Sequence, residues 1–354
     1  MSMNPLEHPH WHAGSRQLTC VAKQAETWQG DTLTAATLVL QDLASPCRFA
    51  FLPGQYLLIG TELAGKPVQR AYSISSSPAQ TDRLAITVKR VAGGRLSNYL
   101  LDALQPGMTL SAQPPQGHFH LPATLPDQVV LLSGGSGISP MLSMTRALLA
   151  SDYAGTVHFI HSAKRREEVI ALAWLLDTAA RHRQLRLSLQ LSEPASELPG
   201  LPGRLSAETL AALLPDLQGV EFFLCGSDRY LAGVRALLAH PRYAGLPVHQ
   251  EAFDLGAQPQ DPTPQAQGHR ITVPAFDKVV ALQGDEPLLA ALEREGLPII
   301  GACRTGVCGS CKCRVLAGEV HSQSSLPLSP EEQAQGYVLA CASRAASDLT
   351  LALN

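Results

Sequence analysis

The sequence predicts a multidomain fold of three parts in a row: an antiparallel β-barrel, an α/β domain with a doubly wound parallel sheet, and a small α+β domain with a mixed sheet. Three observations carry this. Short runs that alternate apolar and polar residues, broken by Pro- and Gly-rich turns, fill residues 15–122. Strand-like and helix-like runs alternate from 129 to 238. Five of the eight cysteines then crowd into residues 303–341, behind a stretch rich in Pro and Gln. A length of 354 residues agrees, since single hydrophobic cores stop growing near roughly 250–300 residues.

Composition excludes several classes. Hydrophobic residues at 45% and charged ones at 16% can bury cores, so disorder, collagen and coiled coil are ruled out. No apolar run approaches the roughly 18 residues of a membrane helix. The start, Met1 to His12, holds Pro5, Pro9 and three histidines and has no signal-peptide core, so the expectation is a cytoplasmic protein with no membrane partner. A formal charge of −3 offers no field for a phosphate backbone, which argues against nucleic acid.

The first domain is expected over 15–124, with strands at Leu33–Leu40, Tyr56–Ile59 and Leu84–Val88. Alternation along a strand puts Arg70 and Tyr72 on one face. The run from Lys89 to Ser97 opens a helix through Leu104, with Gly93, Gly94 and Ser97 at its N-terminal end, where a helix dipole and unsatisfied N–H groups favour an anion. His118 and His120 have no identifiable partner, and the N-terminal histidines are assigned nothing.

The second domain is expected over 125–254. Val129–Leu132 leads into Ser133-Gly-Gly-Ser-Gly-Ile-Ser-Pro140 and then a helix over Met141–Leu149. Further strands are expected at Thr156–Ile160, Leu185–Leu191 and Val220–Leu224, with helices at Glu167–Ala180, Ala207–Leu214 and Tyr230–Leu238. Ligands of such sheets lie beyond the carboxyl ends of the strands, and a Gly-rich turn lets a pyrophosphate reach a helix N-terminus. A dinucleotide is the natural ligand, although G-G-x-G is not the G-x-G-x-x-G fingerprint. Cys225 and Gly226 end a later strand at the same edge; the plain alternative for Cys225 is a buried strand-end residue. Lys164, Arg165 and Arg166 follow the second strand, where they either pair with a 2′-phosphate or form a solvated charge run.

Residues 255–268, with three prolines and few apolar side chains, read as a partly stiff linker that lets the last domain, 269–354, move. In that domain Thr272–Phe276, Val279–Leu282 and Lys312–Leu316 read as strands and Pro287–Glu295 as a helix capped by Gly296. Cys303, Cys308 and Cys311 form C-x4-C-x2-C, with Cys341 following: the plant-type 2Fe-2S spacing. Gly306 and Gly309 allow the tight loop that four converging thiolates require. A zinc site is the alternative, but zinc ribbons usually show two C-x2-C pairs. Cys313 reads as a small core residue, with a spare-ligand role as the alternative.

These motifs, in this order, resemble the flavin reductases of the ferredoxin-NADP reductase superfamily that carry a C-terminal plant-type 2Fe-2S ferredoxin domain. Gly336-Tyr-Val-Leu-Ala-Cys341 is similar to the segment that delivers the last cluster ligand, and Arg70-Ala-Tyr-Ser-Ile-Ser-Ser76 matches the flavin motif R-x-Y-[ST]-x-x-S. The resemblance implies a β-grasp third domain and three cofactors: FAD, NADH (or NADPH) and a 2Fe-2S cluster. It implies FAD contacts at Arg70, Tyr72, Ser73, Ser76, Val88, Gly93, Gly94 and Ser97, with Arg70 on phosphate, Tyr72 stacked on the isoalloxazine and Ser73 near flavin N5. It places the pyrophosphate at Gly134, Gly135 and Gly137, the nicotinamide by Cys225 and Gly226, and Phe253 at the flavin edge. Tyr72, Ser73 and Cys225 are the implied catalytic residues, and Cys303, Cys308, Cys311 and Cys341 the metal ligands. Family members commonly have Pro after the Cys-Gly pair, where this chain has Ser227.

The chain resembles most the NADH oxidoreductases that reduce hybrid-cluster protein and the reductase components of glycine-betaine-type Rieske oxygenases. The expected function is therefore an NAD(P)H-dependent reductase, NADH being favoured by the resemblance, that passes electrons through FAD and the cluster to hybrid-cluster protein. The alternatives are the reductase component of a Rieske or di-iron oxygenase and, from another class, a redox-sensing cluster protein. With seven basic against nine acidic side chains from Gly268 onward, acceptor docking should rest on local surface near Arg304 and Thr305.

Overall fold

The computed structural model describes residues 14–43, 49–193, 200–253, 268–299, 301, 306, 309–324 and 328–353. The N-terminal histidines, Cys47, Arg304, Thr305 and nearly all of the expected linker lie outside the described residues. One compact unit ends at Phe253, and a second takes in the C-terminal residues. Among the described residues no helix is long and apolar enough to cross a membrane.

The first unit begins with six strands: β1 (Arg16–Gln29), β2 (Thr32–Gln41), β3 (Tyr56–Leu63), β4 (Lys66–Ser73), β5 (Leu84–Lys89) and β6 (Thr109–Ala112), with α1 (Arg95–Asp102) between the last two. Their order is β4-β3-β6-β1-β2-β5. The two edges meet just past β4, where Ile74 bridges Ile86 of β5 and Ser75 N–H donates to the Ala85 carbonyl at 2.8 Å. That closure removes the exposed edges and encloses one core, including Leu38, Ile59, Ile74, Ile86 and Leu100.

The parallel sheet follows. Its strands are β7 (Gln128–Gly134), β8 (Thr156–Ala163), β9 (Leu185–Leu191), β10 (Gly200–Pro202), β11 (Val220–Gly226) and β12 (Val248–Ala252), in the order β10-β9-β8-β7-β11-β12. Helices α2 (Ile138–Ala150), α3 (Leu172–Arg181), α4 (Ala207–Leu213) and α5 (Asp228–Leu238) cover it. Parity explains the unbroken apolar runs: Val129 and Leu131 enter one core, Val130 and Leu132 the other, so β7 is buried on both faces. The reversal in strand order falls between β7 and β11, which directs a ligand to the carboxyl ends of that pair.

Two expected elements differ. The helix expected over Glu167–Ala180 is split into a short 3-10 turn at Arg166–Glu168 and α3. Between them Val169 and Ile170 are buried in the core, and Ala171 takes a left-handed conformation (φ 57°) while its N–H donates to the Glu26 carboxylate of β1 at 3.0 Å. The expected strand Thr272–Phe276 ends at Val273, because Pro274 opens a 3-10 turn.

The second unit has β13 (Arg270–Val273), β14 (Lys278–Ala281), α6 (Leu288–Arg294), β15 (Lys312–Ala317), β16 (Val320–Ser322), α7 (Pro330–Ala334), β17 (Tyr337–Leu339), β18 (Ser343–Ala345) and β19 (Leu349–Leu353). The main sheet runs β14-β13-β19-β15-β17, with β13 and β19 parallel and the neighbours β14 and β15 antiparallel to them. Helix α6 ends as expected at Gly296 (φ 70°): Leu297 N–H reaches back to the Leu292 carbonyl at 3.0 Å, which closes the last turn.

Candidate functional site

The barrel half of the site is built on the closure strand. Arg70 and Tyr72 are half-buried on β4, the ring lying against the barrel core, and Arg70 Nη1 donates to the Gln69 carbonyl at 2.7 Å. Ser73 is 4% exposed, and its Oγ is a buried atom with no hydrogen-bond partner among the described residues. An orphaned buried hydroxyl costs about 1–3 kcal/mol, and a ligand with a polar atom at that point removes the cost. Ser76 is committed differently: its Oγ accepts the Ala85 N–H at 2.9 Å and helps close the barrel. Val88 is wholly buried in the barrel core, so it presents only backbone.

Helix α1 starts at Gly94, with Gly93 before it at φ 68°; no side chain caps its first turn. A Cβ on Gly94 would lie 2.4 Å from Ser97 Oγ, so glycine is what allows that hydroxyl to sit over the helix start. Helix α2 likewise starts at Gly137 without a side-chain cap, whereas α4, α5 and α7 are capped by Ser206, Ser227 and Ser329. The two helices at the glycine turns thus open without a side-chain cap, as α3 and α6 also do, and in α2 the Ile138 N–H already bonds back to the Gly135 and Ser136 carbonyls.

The nucleotide half is a cradle with no room for side chains. A Cβ on Gly134 or on Gly226 would lie 2.7 Å from the Tyr230 ring, and one on Gly137 would lie 2.2 Å from the Cys225 carbonyl oxygen. Tyr230 belongs to α5, whose N-cap Ser227 accepts the Tyr230 N–H at 3.4 Å. Ser227 therefore caps the helix that seats this ring. Lys89, whose sequence position marks only the run before α1, reaches over from β5: its Nζ lies 3.7 Å from where a Gly135 Cβ would be, and it meets no carboxylate among the described residues.

Four residues stand in register across the carboxyl ends of β12, β11, β7 and β8: Glu251, Cys225, Ser133 and His161. Cys225 is completely buried; burial pushes its thiol well up, and the neighbouring Glu251 adds to the effect. It is a neutral thiol at the strand end. His161 is also fully buried and shares a 2.8 Å hydrogen bond with Ser133 through Nδ1. Burial, with the Lys89 charge second, pushes it down to about 3, so the ring is neutral. Phe253 packs half-buried on the same core, and its N–H donates to the Gly226 carbonyl at 2.7 Å. Helix α2 ties this half to the barrel closure: Ser143 Oγ donates to the Ser76 carbonyl at 2.7 Å, and Arg146 donates to that of Ser75. The Lys164–Arg166 run is part neutralised, Arg165 being paired with Glu193 beyond β9.

In the second unit, Cys311 and Cys341 come together while Cys303 and Cys308 lie outside the described residues. Cys311 is 1% and Cys341 9% exposed. Backbone donors face both sulfurs: Cys341 N–H lies 3.4 Å from Cys311 Sγ, and Gly306 N–H 3.2 Å from Cys341 Sγ. Amide donors on sulfur suit thiolates that carry the excess negative charge of an iron–sulfur centre. Cys313 is fully buried in the domain core and pushed up to about 12, chiefly by burial, which fits a packing residue. The chemistry of the donor set thus fits all three groups: an orphaned hydroxyl and open helix start for a flavin dinucleotide, a glycine cradle for a nicotinamide dinucleotide, and thiols under amide donors for a cluster.

Comparison with known proteins agrees. Residues 34–121 match the oxidoreductase FAD-binding domain, 131–236 the oxidoreductase NAD-binding domain, and 276–346 the 2Fe-2S iron-sulfur cluster binding domain. The glycine betaine monooxygenase reductase subunit of Pseudomonas aeruginosa is 33% identical over 99% of this chain and 98% of the relative. The stachydrine N-demethylase reductase subunit of Rhizobium meliloti is 32% identical over 97% and 98%. The 3-ketosteroid-9-alpha-monooxygenase ferredoxin reductase component of Rhodococcus rhodochrous is 31% identical over 98% of each chain. Among solved structures, phthalate dioxygenase reductase shares the fold, with a TM-score of 0.66 and 21% identity over 96% of this chain and 98% of that one.

Proposed function

We infer the acceptor from the family: the chain belongs to the oxidoreductases that join an FAD-binding, an NAD-binding and a 2Fe-2S domain in one reductase polypeptide, and we propose that its electrons go to the oxygenase component of a Rieske or di-iron system. The observation that carries this is end-to-end similarity to subunits named as reductases of monooxygenases and a demethylase. Those names favour the oxygenase reading over the hybrid-cluster protein expected from sequence. A bound FAD would supply the conversion between two-electron hydride chemistry and the one-electron chemistry of the cluster.

The protein's own part is placement. Arg70 and the α1 start would hold the flavin phosphates, Tyr72 would lie against the ring, and Ser73 Oγ–H would be a donor to the flavin. The Gly134–Gly137 turn and Lys89 hold the nicotinamide dinucleotide's pyrophosphate, while Cys225, Gly226 and Phe253 shape the nicotinamide end. The neutral Cys225 thiol supplies bulk and a weak donor, not a nucleophile. Cys303, Cys308, Cys311 and Cys341 ligate the cluster. Domain limits at 124/125 and 254/255 accompany this assignment. NADH is favoured over NADPH because Arg165, in the charge run after β8, is already engaged by Glu193 and flanked by Glu167 and Glu168; a 2′-phosphate pairing with Arg165 would have to displace that carboxylate.

The test is anaerobic reconstitution with NADH and either the oxygenase component of a glycine-betaine-type Rieske enzyme or hybrid-cluster protein. Faster reduction of the oxygenase component supports the proposal. Preference for hybrid-cluster protein refutes it.

A further inference from the structure

The Gly306 N–H bond to Cys341 Sγ belongs to no helix or strand; it depends on how one turn is held. Two features hold it. Ser324 Oγ–H donates to the Gly306 carbonyl at 2.7 Å. Gly306 itself has φ 75°, and a Cβ there would lie 2.7 Å from the Ser324 Cβ and 2.8 Å from the Ala342 Cβ. The turn is thus pressed between Ser324 and the residue that follows Cys341. The other amide–sulfur bond, Cys341 N–H to Cys311 Sγ, lies within the 3-10 turn Ala340–Ala342 and makes no use of Ser324.

We propose that Ser324 is a positioning residue that sets the reduction potential of the cluster, by holding the Gly306 N–H on Cys341 Sγ. Reduction adds one electron, drawn from the flavin, and the added charge makes the ligand sulfurs better acceptors. An amide donor on sulfur therefore stabilises the reduced form more than the oxidised form and raises the potential. Glycine has a wide range of backbone conformations, so without the Ser324 bond the Gly306 carbonyl is no longer fixed and the N–H turns off the sulfur. The inference rests on Cys311 and Cys341 being cluster ligands, as proposed above.

The test is an EPR-monitored redox titration of the holoenzyme in native, Ser324→Ala and Ser324→Thr forms, with iron counted per chain. Expected are full iron loading in all three, a Ser324→Ala equilibrium moved about tenfold toward the oxidised form, ~59 mV more negative for a one-electron couple, and a Ser324→Thr potential at the native value because the hydroxyl remains. A fully loaded Ser324→Ala protein at the native potential overturns the proposal. Should Ser324→Ala fail to load, proton ENDOR of the native reduced protein after transfer to D2O decides. Two strongly coupled protons that resist exchange, as the buried Gly306 and Cys341 N–H groups should, support the proposal; a single slowly exchanging proton, or none, overturns it. A native protein without iron would instead remove the cluster reading, and this inference with it.

Discussion

Gly137→Ala should separate nucleotide binding from flavin binding. Gly137 has φ −62° and ψ −3°, ordinary for any residue, so the substitution adds no backbone strain and its whole effect is steric. The new methyl would lie 2.2 Å from the Cys225 oxygen, 2.4 Å from its carbonyl carbon and 2.7 Å from the Gly226 nitrogen. These atoms belong to β11, which is held in the sheet between β7 and β12 and cannot step aside as a side chain would. Restoring ordinary contact requires the turn to retreat by roughly 1 Å, and overpacking of this kind costs about 1–3 kcal/mol of stability. The retreat carries the turn's N–H groups off the pyrophosphate. Losing one charge-assisted hydrogen bond, about 1.5–3 kcal/mol, weakens NADH binding by roughly ten- to a hundredfold. Anaerobic stopped-flow measurement of flavin bleaching against NADH concentration reads this directly, with FAD and iron content as controls that should stay at wild-type values. A variant that melts like the wild type and bleaches with unchanged NADH dependence would refute the assignment of this turn.

Ser73→Ala should slow flavin reduction by about tenfold or more, while the apoprotein becomes no less stable, because the deleted hydroxyl is buried with no partner among the described residues; an apoprotein clearly destabilised by the change would argue for a structural role. Lys89→Met should raise the KM for NADH by about tenfold and leave FAD content alone, and unchanged NADH kinetics would remove Lys89 from the pyrophosphate site. Stability should fall as pH drops. His161 and His158 are pushed down to about 3 and about 4 by burial, so below the unfolded value near 6.5 the unfolded chain binds protons that the folded one does not. Each contributes a slope of up to ~1.4 kcal/mol per pH unit below that value, with its full stability present above it. Denaturant titrations at pH 7 and pH 5 check this: His161→Gln should flatten the dependence, and an equal loss in the variant would contradict it.

What was legible in the sequence was what depends on near neighbours. The cysteine spacing, the Gly-rich turn after an apolar strand and the Gly296 cap each state a local geometry. Even there, Pro140 put the expected start of α2 at Met141, whereas the helix begins at Ile138; proline is accommodated in a first turn, where its missing N–H would have no partner. Long-range contacts were not legible. The apolar periodicity runs unbroken through Val169 and Ile170, yet the helix is interrupted because Glu26, far away in the barrel, takes the Ala171 N–H. Lys89 ends β5 of the barrel yet reaches the Gly135 turn of the next domain, and Ser324 is far in sequence from Gly306; neither spacing marks a motif. Ser227 was visible only as a departure from the family's proline. Its use as the α5 cap, which seats Tyr230 over Gly134 and Gly226, required the folded chain.

Electron flow from NADH through FAD to a 2Fe-2S cluster within one chain is the step on which every other role depends. It is tested most directly by an anaerobic visible spectrum before and after one equivalent of NADH, with EPR of the reduced sample and NADPH in parallel. Flavin bleaching by NADH, a weaker response to NADPH and the rhombic signal of a reduced 2Fe-2S cluster are expected. Bleaching without any iron signal would contradict it at Cys303, Cys308, Cys311 and Cys341.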